Sequence, residues 1–179
     1  MANFTQDAIL KTFGDLLEAL PFEKITVSTL IRECNISRNT FYYHYPDIYA
    51  LLDDWISKSL GKYSALEDDG SWQENIKALL YACRDNKKKV YHIFNSLSRD
   101  RLERYIFDRT DNLVYDFLLR RTQGKSVGQK RVRDLSDIIR YAIYGYFMRF
   151  LWNGMEDDID AAVDNLGILF EEILDSLLP

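Results

Sequence analysis

Residues 34–47 read CNISRNTFYYHYPD. A polar run, Ser37-Arg38-Asn39-Thr40, leads into five consecutive rings, Phe41 to Tyr45, and Pro46 stops them. Neighbours on a helix point about 100° apart, so five adjacent rings cannot all face one core. Some must look outward, where a solitary domain ordinarily places charge. The residue before a proline is pushed out of the helical region, so a helix capped by Ser37 ends before Pro46. Working backward, Val27, Leu30, Ile31 and Cys34 have the spacing of one buried helical stripe, with Thr26 or Ser28 placed to cap it. Asn35 stands where the chain must reverse, and Asn is the non-glycine residue that best tolerates positive φ. Ile36 is an isolated apolar plug for the corner. Residues 26–45 therefore read as helix, three-residue turn, helix. Phe41 and Tyr45, four apart, share the inward face, which turns Tyr42, Tyr43 and His44 outward.

The rest of the chain extends this helical pattern. Ala8, Ile9, Phe13, Leu16, Leu17 and Leu20 form a stripe, with Thr5 as its expected cap and Pro21 just beyond its end. Further helices are predicted over about 47–63, 72–97 with an interruption at Asn86-Lys87-Lys88-Lys89, 99–122, 129–153 and 159–178. Only three prolines occur in 179 residues, and none between 47 and 178. The expected fold is all-α: an N-terminal three-helix helix-turn-helix domain over 1–63 and a larger helical bundle domain over 64–179. The acidic, glycine-containing EDDGS at 67–71 is the predicted boundary between them.

Composition narrows the function. The chain is 47% hydrophobic and 28% charged, enough for a packed core. Cys34 and Cys83 lie in apolar helical patterns without a pairing signature, and no signal or membrane-length apolar run is evident, so a cytoplasmic protein is expected. The two histidines, His44 and His92, offer no metal-ligand spacing. No Gly-rich phosphate loop or Ser/His/Asp grouping occurs either, so no enzyme, cofactor or metal is expected. The net charge is −5, and residues 1–63 carry six Lys/Arg against eight Asp/Glu, so nucleic-acid binding must come from local placement of a few basic groups.

The segment ITVSTLIRECNISRNTFYYHYPDIYALLDDW (25–55) resembles the helix-turn-helix of the TetR/AcrR family of transcriptional regulators. The match rests on Thr26, the aliphatic positions after it, Ile36-Ser37, Arg38, Thr40, Phe41, Tyr42, His44, Tyr45 and Pro46. Asn35 and Asn39 stand where the family has glycine, and Ile48 where many members carry a phosphate-reaching lysine. The resemblance implies a homodimer binding double-stranded DNA through two such units. Arg38 and Asn39, at the start of the recognition helix, are placed for base edges; Tyr42, Tyr43 and His44 offer polar tips to phosphates and rings to sugars or thymine methyls. Lys24, Thr26 and Ser37 are cast as backbone-positioning contacts, and Thr40 completes the candidate interface.

For the larger domain the resemblance implies an effector cavity between helices. Candidates to line it are Tyr81, Arg84, His92, Tyr105, Arg109, Tyr141 and Tyr144. Glycines at 145 and 167 interrupt two apolar helices, which calls for close approach of another helix. The resemblance places the two-fold dimer interface there, with Gly145, Trp152, Leu166, Gly167, Phe170, Ile173, Leu174 and Leu177 as candidates. The expected function is a ligand-responsive repressor on a palindromic operator. The alternative is an activator, or control by a partner protein, since the C-terminal half resembles the branch containing the dihydroxyacetone-kinase operon regulator. A helical protein-interaction module is the rival without DNA, and it leaves the outward rings unexplained.

Overall fold

In the computed structural model of the chain, which describes residues 2–60 and 72–177, every regular element among the described residues is a helix. They are α1 (Ala2–Ala19), a 3-10 turn (Phe22–Lys24), α2 (Val27–Cys34), α3 (Arg38–His44), α4 (Ile48–Leu60), α5 (Trp72–Asp85), α6 (Lys87–Phe94), α7 (Arg99–Arg121), α8 (Gln129–Trp152) and α9 (Ile159–Leu177). The all-α expectation holds, and the interruption expected at residues 86–89 is a break at Asn86 between α5 and α6, with Lys87–Lys89 already in α6. Helix α1 begins at Ala2, so Thr5 lies inside it and is no cap. The EDDGS boundary lies outside the described residues.

Contacts divide the chain into two units, Met1–Lys62 with Asp85–Ser98, and Tyr63–Arg84 with Arg99–Pro179. In the first, Ile9, Phe13, Leu17, Phe22, Leu30, Phe41, Tyr45 and Leu51 form a buried core. Gly14 belongs to this design: a Cβ there would meet Trp55 Nε1 at 2.8 Å, so only glycine lets the α4 indole lie against α1. Helix α6 also belongs here, although the sequence placed all of 64–179 in the second domain. Its Ile93 is buried in the first core. His92 Nδ1 lies 2.7 Å from the Leu17 carbonyl oxygen, and Lys89 lies 3.8 Å from Glu18, both on α1. An amphipathic stripe identifies a buried face but not its partner, and that is why the assignment went to the wrong neighbour.

In the second unit α7 and α8 pair along their length. Val114, Leu118, Val132, Leu135 and Leu174 form its core, with Phe117, Ile139, Ile143 and Phe170 packed around them. Arg140 knits the pair. Its guanidinium lies 2.6 Å from Asp111 and 3.0 Å from Asp137, donates to the Phe107 carbonyl at 2.9 Å, and covers the Phe107 ring. Lys77 of α5 bonds Asp164 of α9 at 2.7 Å. Cys83 is buried, and burial alone pushes its thiol up to about 12, a protonated and unreactive state.

Candidate nucleic-acid interface

The helix-turn-helix is built from local bonds that the sequence anticipated. Thr26 caps α2 by accepting from the Thr29 N–H at 3.1 Å, so Thr26 and not Ser28 is the cap. Asn35 sits at φ 52°, ψ 47°, the left-handed conformation that ends α2. The next amide, Ile36 N–H, donates back to Ile31 O at 3.1 Å, closing the helix end and turning the chain. Ser37 then caps α3 by accepting from Thr40 N–H at 3.0 Å, and the Ser37 and Thr40 hydroxyls lie 2.7 Å apart.

Helix α3 has two faces. Phe41 is wholly buried and Tyr45 nearly so. Tyr43 is 78% exposed, Tyr42 is exposed edge-on to Phe41, and His44 is half-buried between Tyr43 and Tyr45. Arg38 and Asn39 are exposed at the N-terminal end of α3, and among the described residues no acid pairs with Arg38. Lys24, Thr26 and Ser37 are exposed too, with Lys24 only loosely approached by Glu23 at 3.9 Å, while Thr40 is half-buried. The candidate residues thus fall on α3, the α2 cap and the short turn before α2, with hydroxyls, one guanidinium and one amide available to a duplex.

One group supporting this surface escaped the sequence reading. Asp54 Oδ2, on α4, accepts from Tyr45 Oη at 2.6 Å, Gln6 Nε2 at 3.0 Å and Lys58 Nζ at 3.2 Å. Burial alone would raise its carboxyl, but the bonds from Tyr45, Lys58 and Gln6 and the Lys58 charge outweigh it, leaving Asp54 below the ordinary carboxylate value. Tyr45 is moved the opposite way, first by burial and then by the bond to Asp54. A depressed Asp54 means that the unfolded chain takes the proton first. Its stabilisation is complete above the unfolded value and drains as pH falls through the folded one. Asp54→Asn is therefore expected to flatten the acid side of the melting-temperature profile while lowering the plateau at neutral pH. Superimposable acid limbs would contradict this assignment.

The effector candidates fall on α5, α6, α7 and α8. Tyr81 donates to Asp160 at 2.8 Å, and Arg84 covers the Tyr81 ring. Tyr141 and Tyr144 both contact Phe107, at centroid distances of 4.7 and 6.1 Å. Tyr105 is half-buried on α7; Arg109 is on the same helix, its side chain outside the described set. His92 lies in the first unit, its Nδ1 against the Leu17 carbonyl of α1. Spacing along one helix cannot report which neighbour a polar tip reaches: Tyr81 reaches Asp160 of α9, while the Tyr144 hydroxyl is buried without a hydrogen-bond partner among the described residues.

The interface candidates split as well. Gly145, Trp152 and Ile173 are exposed, and Leu166 and Phe170 are half-buried. Gly167 and Leu174 are buried within the chain. A Cβ at Gly167 would meet Gln73 Nε2 of α5 at 2.8 Å, so the close approach that this glycine permits is intramolecular. The side chain of Leu177 lies outside the described set. Ile138 and Ile168, which the sequence did not single out, are at least half exposed, as are Leu169 and the effector candidate Tyr141, and together they extend the apolar strip of α8 and α9.

Comparison with known proteins places this architecture. The TetR-type family model described as "Transcriptional regulator C-terminal region" matches residues 70–172. YerO of Bacillus subtilis strain 168, an uncharacterized HTH-type transcriptional regulator, is 26% identical over 193 aligned residues, covering 98% of this chain and 65% of its own length. DhaS of Lactococcus lactis subsp. lactis strain IL1403, an HTH-type dhaKLM operon transcriptional activator, is 29% identical over 125 residues, covering 62% of this chain. The chain spans 65% of the length of each of these two relatives. Among solved structures, the dihydroxyacetone kinase operon activator DhaS superimposes with a TM-score of 0.70 at 20% identity, over 98% of both chains. A TetR/AcrR-type regulator from Aquifex aeolicus VF5 does so with 0.57 at 19% identity, over 94% of this chain and 99% of its own. With more than half of its length matched by the family model, this chain belongs to the TetR family of transcriptional regulators.

Proposed function

We propose that the chain regulates transcription as a homodimer in the cytoplasm, binding a palindromic DNA site with α3 of each protomer in the major groove. The observation that carries this reading is the division of α3, which buries Phe41 and Tyr45 and leaves Arg38, Asn39, Tyr42 and Tyr43 exposed. A solitary domain gains nothing from exposed rings beside a guanidinium that pairs with no acid among the described residues. A duplex offers the rings sugar and thymine methyls, the hydroxyls phosphate oxygens, and the guanidinium a guanine edge. The exposed apolar strip of α8 and α9 supports the dimer, because a two-fold operator needs two reading helices about 34–36 Å apart, or a simple multiple of that. Family membership supports both.

An effector, small molecule or protein, acts by preferring one spacing of the two reading helices; typical couplings are about 1–3 kcal/mol. Preference for the matching spacing activates binding, and preference for another releases DNA. Repression is the wider family's pattern. The naming of DhaS as an activator, at 29% identity, favours the second reading, activation. Selection of duplexes from a random pool by the full chain, followed by titration of the selected and a scrambled duplex, tests the proposal. A selected palindrome bound at least tenfold more tightly supports it; equal binding of the two defeats it.

A further inference from the structure

Burial of Phe41 and Tyr45 sets the rotation of α3 coarsely, since apolar contact is non-directional and tolerates small turns of the helix. Hydrogen bonds are directional and lose strength within a few tenths of an ångström and a few tens of degrees. At the foot of α3, one oxygen of Asp54 gathers donors from three places. Tyr45 follows the last turn of α3, Gln6 lies on α1, and Lys58 shares α4 with Asp54 itself. Tyr45 is the C-cap of α3, extended at φ −138° and ψ 122°, with its N–H bonded to Phe41 O. The knot therefore holds α3 at the end opposite Arg38.

We propose that Asp54 is a positioning residue for DNA reading, fixing through Tyr45 the rotation at which α3 presents Arg38 and Asn39 to base edges. This rests on the proposed DNA-binding function and adds to it the group that sets specificity from inside the fold. The lever is short but sufficient. A seven-residue helix is about 10 Å long, so a 10° tilt about its foot moves its tip by roughly 2 Å. That displacement breaks a base-edge hydrogen bond, while a phosphate contact from a flexible or rotating group follows the movement. Tyr45→Phe keeps the ring in the core and removes only the tie.

The test uses the full chain, an operator duplex selected from a random pool by the wild type, and a scrambled duplex of equal composition. Tyr45→Phe and Asp54→Asn are each expected to lose roughly tenfold in affinity for the operator and less than about twofold for the scrambled duplex. The double variant loses roughly tenfold in total, not the hundredfold of independent sites, because both changes cut one coupling. Gln6→Met, which removes a peripheral donor, shifts the same ratio in the same direction by about twofold and carries the test if Tyr45→Phe does not fold. Equal losses on both duplexes, unchanged operator affinity, or a multiplicative double variant overturns the proposal. A wild type that selects no preferred duplex overturns the DNA-binding reading, and this inference with it.

Discussion

Ile173→Glu is expected to leave the chain monomeric at micromolar concentration while each protomer stays folded. Ile173 is exposed on α9, beside Ile168 and Leu169 on the same helix, while Ile138, Tyr141 and Trp152 line the exposed side of α8. In one protomer this strip faces water, so glutamate there costs the isolated chain little. In a two-fold dimer it is buried, and each substitution occurs twice. Losing the burial of isoleucine costs about 1.5–3 kcal/mol per site, and enclosing an unpaired carboxylate costs several more. Together these exceed about 6 kcal/mol, more than four decades in dissociation constant. Sedimentation velocity reads the result directly, and circular dichroism reports the fold. A variant that still sediments as a dimer would move the interface away from α8 and α9. Gly167→Ala separates the roles of the two glycines: it strikes Gln73 within the chain, whereas Gly145 has open space before its Cα.

Arg38→Ala is expected to cost about 1–3 kcal/mol, roughly 5- to 150-fold, at one base pair of each half-site and little elsewhere. The guanidinium is exposed, has no acid partner among the described residues, and starts from the first residue of α3, held by the Ser37 cap. Removing it leaves the fold intact and exposes only its own contact. Lysine does not replace it, because a point charge lacks the fork that matches guanine O6 and N7. Binding titrations across single-base operator variants check the prediction. A uniform loss on specific and scrambled DNA would make Arg38 a phosphate contact.

Local chemistry was legible in the sequence; long-range chemistry was not. Asn35 announced a left-handed turn because few other residues tolerate it, and the structure has it at φ 52°. Ser37 and Thr26 announced caps for the same local reason, and Pro46 the end of α3. Phe41 and Tyr45 announced an inward face by spacing alone. Apart from Thr5, which lies inside α1 and does not cap it, what failed depended on distant partners. Asp54 read as one acid among several on α4, since nothing in a sequence says that Gln6 and Tyr45 converge on it. Helix α6 read as part of the second domain because its stripe is equally apolar against either core. Gly167 read as a helix crossing between protomers, and the crossing group turned out to be Gln73 of the same chain. The same limit hid the partners of two effector candidates, Tyr81 on Asp160 and His92 on Leu17.

The central claim is that the outward side of α3 enters the major groove of two successive half-sites. Methylation interference at guanine N7 on a selected operator probes that groove directly. The account predicts interference at guanines in two clusters about 10–10.5 base pairs apart, or a simple multiple of this, with one guanine in each cluster relieved by Arg38→Ala. Tight binding with no major-groove interference, or with a pattern that Arg38→Ala leaves untouched, would contradict it.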